Sequence, residues 1–333
     1  MRAHARIGVV GAAVVLGWCA GGFAQEHPQQ PTTPGAPSAS PPRAPEQPAA
    51  RALAGVKSFR DIEYASPDGK PVKLDLYVPE HADKPMPLVI WIHGGGWRAG
   101  TKDQCPALAL TRDGFAVASV EYRLTDRACF PAQIHDCKAA VRYLRAHAKE
   151  HNIDADRIGC WGASAGGHLV ALLGTSAGDK ACEGAELGNA DQSSEVQCVC
   201  DWFGPTDFVG YKAESADVAP MLVGLFGGKM SEKPDLVKLA SPALHVKKDG
   251  AKYPPFLIVQ GDKDPLVPWQ QSQELADKLK EAGAAAELVI VKDAGHGFGE
   301  KNGEELQRVK GFFEKQLLKK EIKDEKAPPS KAG

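Results

Sequence analysis

The sequence predicts an α/β fold in which helices cover both faces of a mostly parallel central sheet, with a small insertion over the sheet. Short apolar runs alternate along the chain with longer segments in which apolar residues recur every three or four positions. The runs are typical of strands buried on both faces, and the periodic segments are typical of amphipathic helices. The chain has 333 residues, of which 43% are hydrophobic and 25% charged, so it can bury a large core.

The individual elements follow from these patterns in chain order. Residues 59–65 and 72–78 flank the turn sequence SPDG and predict a hairpin. Further strands are predicted at residues 88–92, 115–121, 157–161, 196–202, 255–259 and 287–291. Helices are predicted from residue 131, from about residue 165, and over 270–282 and 304–317. Residues 205–248 have broken periodicity and several Gly and Pro residues, which indicates the insertion.

Both ends of the chain are predicted to lie outside the folded domain, which we place at residues 52–318. Residues 1–24 combine a basic start, a short apolar run and small residues before position 25, which is typical of a secretory signal peptide. Residues 25–51 predict a Pro-rich disordered linker and 319–333 a charged disordered tail. We therefore expect a secreted or periplasmic protein without membrane contact. A retained anchor and lipid attachment at Cys19 are the alternatives.

The charge of the chain bears on its binding partners. The formal net charge is −2 and there is no polybasic patch, so we expect neither a nucleic-acid partner nor a membrane surface.

Seven of the eight cysteines remain after signal removal, an odd number that cannot pair completely. Cys105 with Cys129, or Cys182 with Cys198, are possible pairs, and the cysteines at 137 and 160 are expected to be buried thiols. No cofactor or metal is expected, because no cysteine pair has partners at ligand spacing.

The strongest chemical signal is the sequence GASAG at residues 162–166. It follows a predicted strand and precedes a predicted helix, which is the context of a nucleophile elbow. Such a turn exposes the Ser164 hydroxyl at the top of the sheet and at a helix N-terminus, whose dipole favours developing negative charge. The alternative is a serine that only caps a helix. We interpret Ser164 as a catalytic nucleophile.

A second glycine-rich turn, HGGGW at residues 93–97, follows the strand at 88–92. Glycines leave backbone N–H groups free to bind an oxyanion, together with the N–H after the nucleophile. The predicted donors are Gly94, Gly95 and Ala165, and which of the two glycines donates stays open. The preceding His93 is expected to brace the loop.

The base and the acid are predicted downstream of the serine, at the ends of two later strands. In this fold the chain order is nucleophile, acid, histidine. His296, in the sequence AGHGF, is the predicted general base, in preference to His245. The sequence GDKDP at 261–265 offers Asp262 and Asp264. We favour Asp264 as the acid, because it lies farther into the loop and precedes a rigid proline.

Three aromatic residues near these motifs are candidates for the substrate pocket. Trp97 ends the glycine-rich turn, and Trp202 and Phe203 end the strand after the nucleophile helix. For Trp97, packing in the core is an equally good interpretation. His168, one helical turn beyond the serine, is expected to be a buried structural histidine.

These motifs, with DWFGPTD at 201–207, resemble the bifunctional feruloyl and acetyl-xylan esterase group of secreted α/β-hydrolases, close to the hormone-sensitive-lipase-like esterases. The resemblance extends over about residues 59–313. It implies an α/β-hydrolase fold, the triad Ser164, Asp264 and His296, and hydrolysis of carboxylic esters. It places the acid at the fourth position of GDKD, which is Asp264.

From the motifs and this resemblance together we expect short acyl esters, acetyl or feruloyl, on small molecules or polysaccharides. Charged residues interrupt the insertion, so we expect no long apolar helix of the kind that covers a lipase site. Alternatives are a generic short-chain carboxylesterase, a serine peptidase, and a binding module without catalysis. A peptidase would need a charged clamp for a peptide terminus, and a binding module usually lacks a triad residue. The oligomeric state is not predicted.

Overall fold

A computed structural model describes residues 54–212 and 215–318. The predicted signal peptide, linker and tail lie outside the described residues. Eight strands form one sheet, in which two pairings are antiparallel and the other five are parallel. The predicted α/β-hydrolase fold is confirmed.

Each strand overlaps its predicted position; most extend beyond a predicted end, whereas the fourth and sixth are shorter than predicted. The strands are β1 Val56–Ala65, β2 Val72–Pro79, β3 Met86–Ile92, β4 Ala116–Val120, β5 Ile153–Ala163, β6 Cys198–Trp202, β7 Phe256–Gly261 and β8 Ala286–Val291. Their order in the sheet is β1-β2-β4-β3-β5-β6-β7-β8, and the pairings of β2 with β1 and with β4 are the antiparallel ones. The largest difference is at β5, which begins four residues before the apolar run that predicted it. Those first residues pair only through Ile153 with Met86 before the register shifts, so they carry no continuous apolar pattern.

The helices cover the two faces of the sheet and fill the insertion. They are α1 Ala132–Ala146, α2 Ala165–Thr175, α3 Lys180–Glu183, α4 Val218–Phe226, α5 Pro234–Leu239, α6 Pro242–His245, α7 Trp269–Glu281 and α8 Asn302–Phe313. The insertion thus contains three short helices. One of them, α4, is apolar throughout but only nine residues long.

Two apolar clusters, one on each face, hold the sheet between the helices. The larger contains the buried residues of α1, α2 and α7, and the smaller contains those of α8 and of the 3-10 segment Pro106–Asp113. Strands β3, β4 and β6 are buried along their whole length. Their continuous apolar runs are therefore explained by helices on both sides.

The turn from β5 to α2 depends on two glycines. A Cβ atom at Gly162 would clash with the backbone of Gly166, and a Cβ at Gly166 would clash with the backbone oxygen of Ile92. The elbow can therefore lie directly against the end of β3 only when both positions lack a side chain. This contact sets the nucleophile beside the loop that follows β3.

All seven cysteines of the described residues carry free thiols. Neither of the two possible pairs forms: Cys182 belongs to the larger apolar cluster and Cys198 to the smaller one, on opposite faces of the sheet, and Cys105 and Cys129 are likewise free. The thiols at 137 and 160 are buried as expected. In the described ranges no helix is long and apolar enough to span a bilayer.

We expect Gly166→Ala to destabilise the protein severely, by about 2 kcal/mol or more, since the new methyl group must displace backbone of β3. Gly311→Ala is the matched control. Gly311 lies in α8 with open space around its Cα, so alanine there should be neutral or stabilise by up to about 1 kcal/mol. Urea unfolding of the two variants measures both effects. Equal stabilities would contradict the close contact at Gly166.

Candidate active site

Ser164 occupies a strained turn between β5 and α2. Its backbone has φ 57° and ψ −119°, a conformation that residues with a side chain rarely adopt. Its backbone amide donates to the backbone oxygen of Trp202 on the neighbouring strand at 2.8 Å. Its backbone oxygen accepts from the backbone amide of His168 at 2.9 Å. The side chain is half-buried and lines a cleft of about 810 Å³. The geometry is that of a nucleophile elbow.

His296 and Asp264 form a hydrogen-bonded pair at the ends of β8 and β7. His296 Nδ1 donates to Asp264 Oδ2 at 2.7 Å. The acid side chain is fully buried and the imidazole is 19% exposed. Because Nδ1 carries the proton, the basic nitrogen of the neutral ring is Nε2. His296 and Ser164 line the same cleft, so the structure brings together all three residues of the predicted triad.

The Asp264 carboxylate is fixed by four hydrogen bonds. Oδ1 accepts from the amides of Leu266 and Val267 at 2.8 and 2.9 Å, as in an Asx turn. Oδ2 accepts from Gln260 Nε2 at 3.0 Å in addition to His296. The other predicted candidate, Asp262, makes no hydrogen bond to the histidine among the described residues. The choice of Asp264 over Asp262 therefore agrees with this geometry.

Gln260 is a site residue that the sequence analysis missed. It is fully buried on β7 and its Oε1 accepts from Ser272 on α7 at 3.0 Å. Its amide group donates to Asp264 and to the backbone oxygen of Val267. Gln260 thus fixes the acid to the sheet and to the next helix. A polar residue at the end of an otherwise apolar strand is the signal that indicates it.

The glycine-rich turn lies beside the serine. A Cβ atom at Gly94 would stand 3.3 Å from the Ser164 Cβ, and both predicted glycine donors line the cleft. Gly96, which was not predicted, lines it too. Ala165 is the first residue of α2, where a helix N–H has no partner within the helix. The arrangement offers several amides near the serine, as an oxyanion site requires.

Of the three aromatic residues predicted for the pocket, only Phe203 lines the cleft. Its ring lies 4.5 Å from the His296 ring, centroid to centroid. Trp97 and Trp202 are both 4% exposed and belong to the core. This corrects the pocket prediction for Trp202 and agrees with the core-packing interpretation of Trp97. Trp202 packs edge-on against Trp161 and Phe298, on the face of the sheet that α8 covers.

Trp97 instead joins a buried hydrogen-bonded chain through His168. Trp97 Nε1 donates to His168 Nδ1 at 3.2 Å, and His168 Nε2 donates to the backbone oxygen of Ala240 at 2.7 Å. Burial lowers the pKa of His168 to about 4, which keeps the imidazole neutral. His168 is therefore a buried histidine, as predicted, and it connects the oxyanion loop to the insertion.

His93 occupies the start of the same loop. Its ring stacks on Tyr122 at 4.5 Å, and the Tyr122 hydroxyl donates to the His93 backbone oxygen at 3.1 Å. Burial lowers its pKa. These contacts agree with the expected bracing role.

Asp201 is a buried carboxyl group directly below the elbow. It pairs in register with Gly162 across the strands, and its Oδ1 accepts from the amide of Gly204 at 2.9 Å. Oδ2 has no hydrogen-bond partner among the described residues. Burial raises the pKa of Asp201 to about 7, because an unpaired charge in this environment is unfavourable.

The sequence is similar to a known protein family and to several curated esterases. A profile of the family described as BD-FAE matches residues 74–279. Among curated proteins, the esterase LipQ of Mycobacterium tuberculosis is 31% identical over 245 residues, which cover 72% of this chain and 56% of LipQ. The chain spans about half the length of the first three curated relatives it matches.

Two solved structures are similar over most of the described residues. A truncated carbohydrate esterase from gut microbiota has 34% sequence identity and a TM-score of 0.68, and covers 79% of this chain and 96% of its own. A thermophilic esterase of Thermogutta terrifontis with butyrate bound has 25% identity and a TM-score of 0.65, with 79% and 94% covered.

We expect Asp264→Asn to lower kcat for ester hydrolysis by about ten-thousand-fold, because asparagine favours the wrong tautomer of His296. Asp262→Asn, two residues away in the same loop, is the matched control and should retain most activity. Steady-state kinetics on a p-nitrophenyl ester compare the two. The assignment of the acid is rejected if Asp262→Asn is the more damaging change.

The buried carboxyl group of Asp201 should make the stability of the folded protein depend on pH. The folded state retains the Asp201 proton up to a pH of about 7, whereas the unfolded chain releases it near 3.8. The unfolded state thus binds fewer protons in this window, and wild-type stability falls as pH rises through it, by up to about 4 kcal/mol. Asp201→Asn cannot ionise and avoids this loss.

The measurement is urea unfolding of both proteins at about pH 4.5 and about pH 8. The advantage of Asp201→Asn should grow toward the higher pH. His168 titrates in both proteins, so its effect cancels in the difference. A difference in stability between the two proteins that does not change with pH would contradict the protonated state of Asp201.

Proposed function

This chain belongs to the BD-FAE family of α/β-hydrolases, and we propose that it hydrolyses carboxylic esters through an acyl-enzyme on Ser164. The observation that carries the proposal is the shared cleft: Ser164 on a strained elbow and His296, hydrogen-bonded to Asp264, line the same cavity. The esterases among its relatives support the same reaction class.

The proposed reaction has two steps. His296 Nε2 takes the proton of Ser164 as its Oγ attacks the ester carbonyl, and the buried Asp264 stabilises the imidazolium. The protonated histidine then donates to the leaving alcohol. In the second step the same nitrogen activates a water molecule, which releases the acid and restores the serine.

Negative charge on the carbonyl oxygen is stabilised in both steps by backbone amides. We assign this role to Ala165 and to the glycine-rich loop, with Gly94 and Gly95 as donors. Ala165 begins α2, so the helix dipole adds to the stabilisation. Loss of one such donor typically costs about 2.7–4 kcal/mol of transition-state stabilisation.

For the substrate we propose short acyl esters of carbohydrates, with acetate as the principal acyl group and ferulate as a second one. The residues that line the cleft support this choice. They include the apolar side chains of Phe203, Met221 and Leu266 and the polar side chains of Arg98, Thr101 and Gln104. Apolar side chains suit a small acyl group, and hydrogen-bonding side chains suit a sugar alcohol.

Met221 limits the length of the apolar part. It projects from α4, and its sulfur lies 2.6 Å from the position that a Cβ of Gly96 would occupy. The thioether thus sits on the oxyanion loop. The Thermogutta terrifontis esterase with bound butyrate and the carbohydrate esterase are relatives whose ligand and class agree with a short acyl group on a sugar.

The place of action is a further part of the proposal. The features of residues 1–24 support export, and after their removal residues 25–51 would precede the catalytic domain as its Pro-rich N-terminal segment. An exported enzyme meets polysaccharides outside the cytoplasm.

The test is kcat/KM over p-nitrophenyl esters from C2 to C12, with release of acetate from acetylated xylan and of ferulate from methyl ferulate. We expect a maximum at C2 and a steep fall beyond about four carbons, since each methylene left outside the pocket forfeits burial of about 0.8 kcal/mol. A maximum at C8 or longer rejects the short-acyl proposal. Preference for acetate without acetate release from xylan leaves a generic carboxylesterase.

Two variants sharpen this experiment. Met221→Ala should move the maximum toward longer acyl chains, and Val223→Ala, on the same helix but 48% exposed, should leave the profile unchanged. Ser164→Ala should lose about a million-fold in kcat while keeping its fold by circular dichroism. Activity of this variant above a few per cent would reject Ser164 as the nucleophile.

A further inference from the structure

Three side chains that the proposed reaction does not use lie together where α3 approaches α6. Asp179 caps α3, Cys182 lies within that helix, and His245 ends α6 of the insertion. Their carboxylate oxygen, sulfur and imidazole nitrogen all lie within 4.8 Å of one another. No metal is expected from ligand spacing along the chain, but these residues are far apart in sequence and the fold brings them together.

The tautomer of His245 is fixed from outside this cluster. Its Nε2 lies 2.8 Å from the backbone oxygen of Leu239, which can only accept a hydrogen bond, so Nε2 carries a proton. In the neutral ring the lone pair is then on Nδ1. An outer carbonyl that orients the imidazole in this way is typical of metal-binding histidines.

The Nδ1 lone pair points toward an anion. Asp179 Oδ2 lies 3.5 Å from His245 Nδ1, while Asp179 Oδ1 accepts from the amide of Ala181 at 3.0 Å. Two acceptors that face each other repel unless a cation lies between them. The cation is either a proton on His245 or a metal ion.

The position of Cys182 distinguishes the two cases. A proton shared by histidine and aspartate needs no third ligand, yet the thiol of Cys182 is fully buried within reach of both groups. Tetrahedral zinc with N, O and S ligands at about 2.0–2.3 Å gives ligand separations of about 3.3–3.8 Å. The distance of 3.5 Å between His245 Nδ1 and Asp179 Oδ2 is in this range, and the Cys182 sulfur lies within 4.8 Å of both atoms, so it would move closer on binding.

The positive charge beside the cluster is compensated. The ammonium group of Lys138, which acts electrostatically on Cys182, is paired with Glu183 at 2.6 Å and donates to the backbone oxygen of Ser176 at 2.7 Å. Asp179 is partly exposed, so ions and water can reach the cluster.

We propose that Asp179, Cys182 and His245 bind a zinc ion, with water as a fourth ligand. Cysteine and histidine together favour zinc over magnesium or calcium, which prefer oxygen ligands. The ion would join the segment before β6 to α6, which packs against α2. The role is structural and does not depend on ester hydrolysis.

The experiment uses the purified chain after dialysis against EDTA, titrated with Zn²⁺ by calorimetry and by thermal unfolding. We expect one ion per chain and an unfolding temperature that rises with zinc, since the metal binds the folded state. Cys182→Ser and His245→Gln should each weaken binding by about 100-fold or more, because these residues are ligands themselves and not their outer partners.

Cys129→Ser and His147→Gln are the matched controls and should titrate like the wild type. With Co²⁺ as a probe, the thiolate-to-metal charge-transfer absorption should appear in the wild type and disappear in Cys182→Ser. The proposal is overturned if zinc binds more weakly than about 10 μM, or if neither ligand variant alters binding. Stabilisation by His245 at low pH without any response to zinc would assign the cation to a proton.

Discussion

The contact between the nucleophile elbow and the end of β3 is the constraint on which the site depends. Gly166 has no room for a side chain against the Ile92 backbone oxygen. The same tight turn holds Ser164 in a strained backbone conformation. Parallel pairing of β3 and β5 brings their carboxyl ends together. The serine and the oxyanion loop are therefore placed by the sheet itself, and the loops need supply only the acid and the base.

Local sequence patterns sufficed wherever local geometry determines the outcome. The glycines of the elbow, the loop after β3 and the position of His296 after a strand all carry their structural reason within a few residues, and the strands were predicted from continuous apolar runs. The residues that line the pocket could not be predicted in this way. Trp97, Trp202 and Phe203 all lie at or shortly after the end of a strand, but the direction in which each ring points there depends on packing from distant segments.

Other features of the site could not be predicted from the sequence for the same reason. Gln260 is one polar residue on a buried strand, and only the fold shows that it reaches Asp264. Met221 reaches the oxyanion loop from an insertion whose helices have no clear periodicity. The ligands proposed for zinc come from two segments on either side of β6, so their spacing along the chain carried no information.

Two carboxyl groups near the elbow illustrate how environment separates identical side chains. Asp264 accepts four hydrogen bonds, two of them from backbone amides, which suits a carboxylate that must stabilise an imidazolium. Asp201 accepts one and is otherwise enclosed, so its neutral form is favoured. The surroundings of Asp264 thus favour its ionised form, whereas those of Asp201 favour its neutral form.

The hydrogen-bonded chain from Trp97 through His168 to Ala240 has a consequence for how such enzymes diversify. Insertions above the sheet are the segments that vary most freely when a hydrolase acquires a new substrate. Here the insertion supplies the carbonyl that holds His168, and His168 holds the loop that carries the oxyanion donors. An insertion transplanted between homologues is therefore not an independent module. It must bring its own backbone acceptor at this point, or a new specificity will be acquired together with a looser catalytic loop.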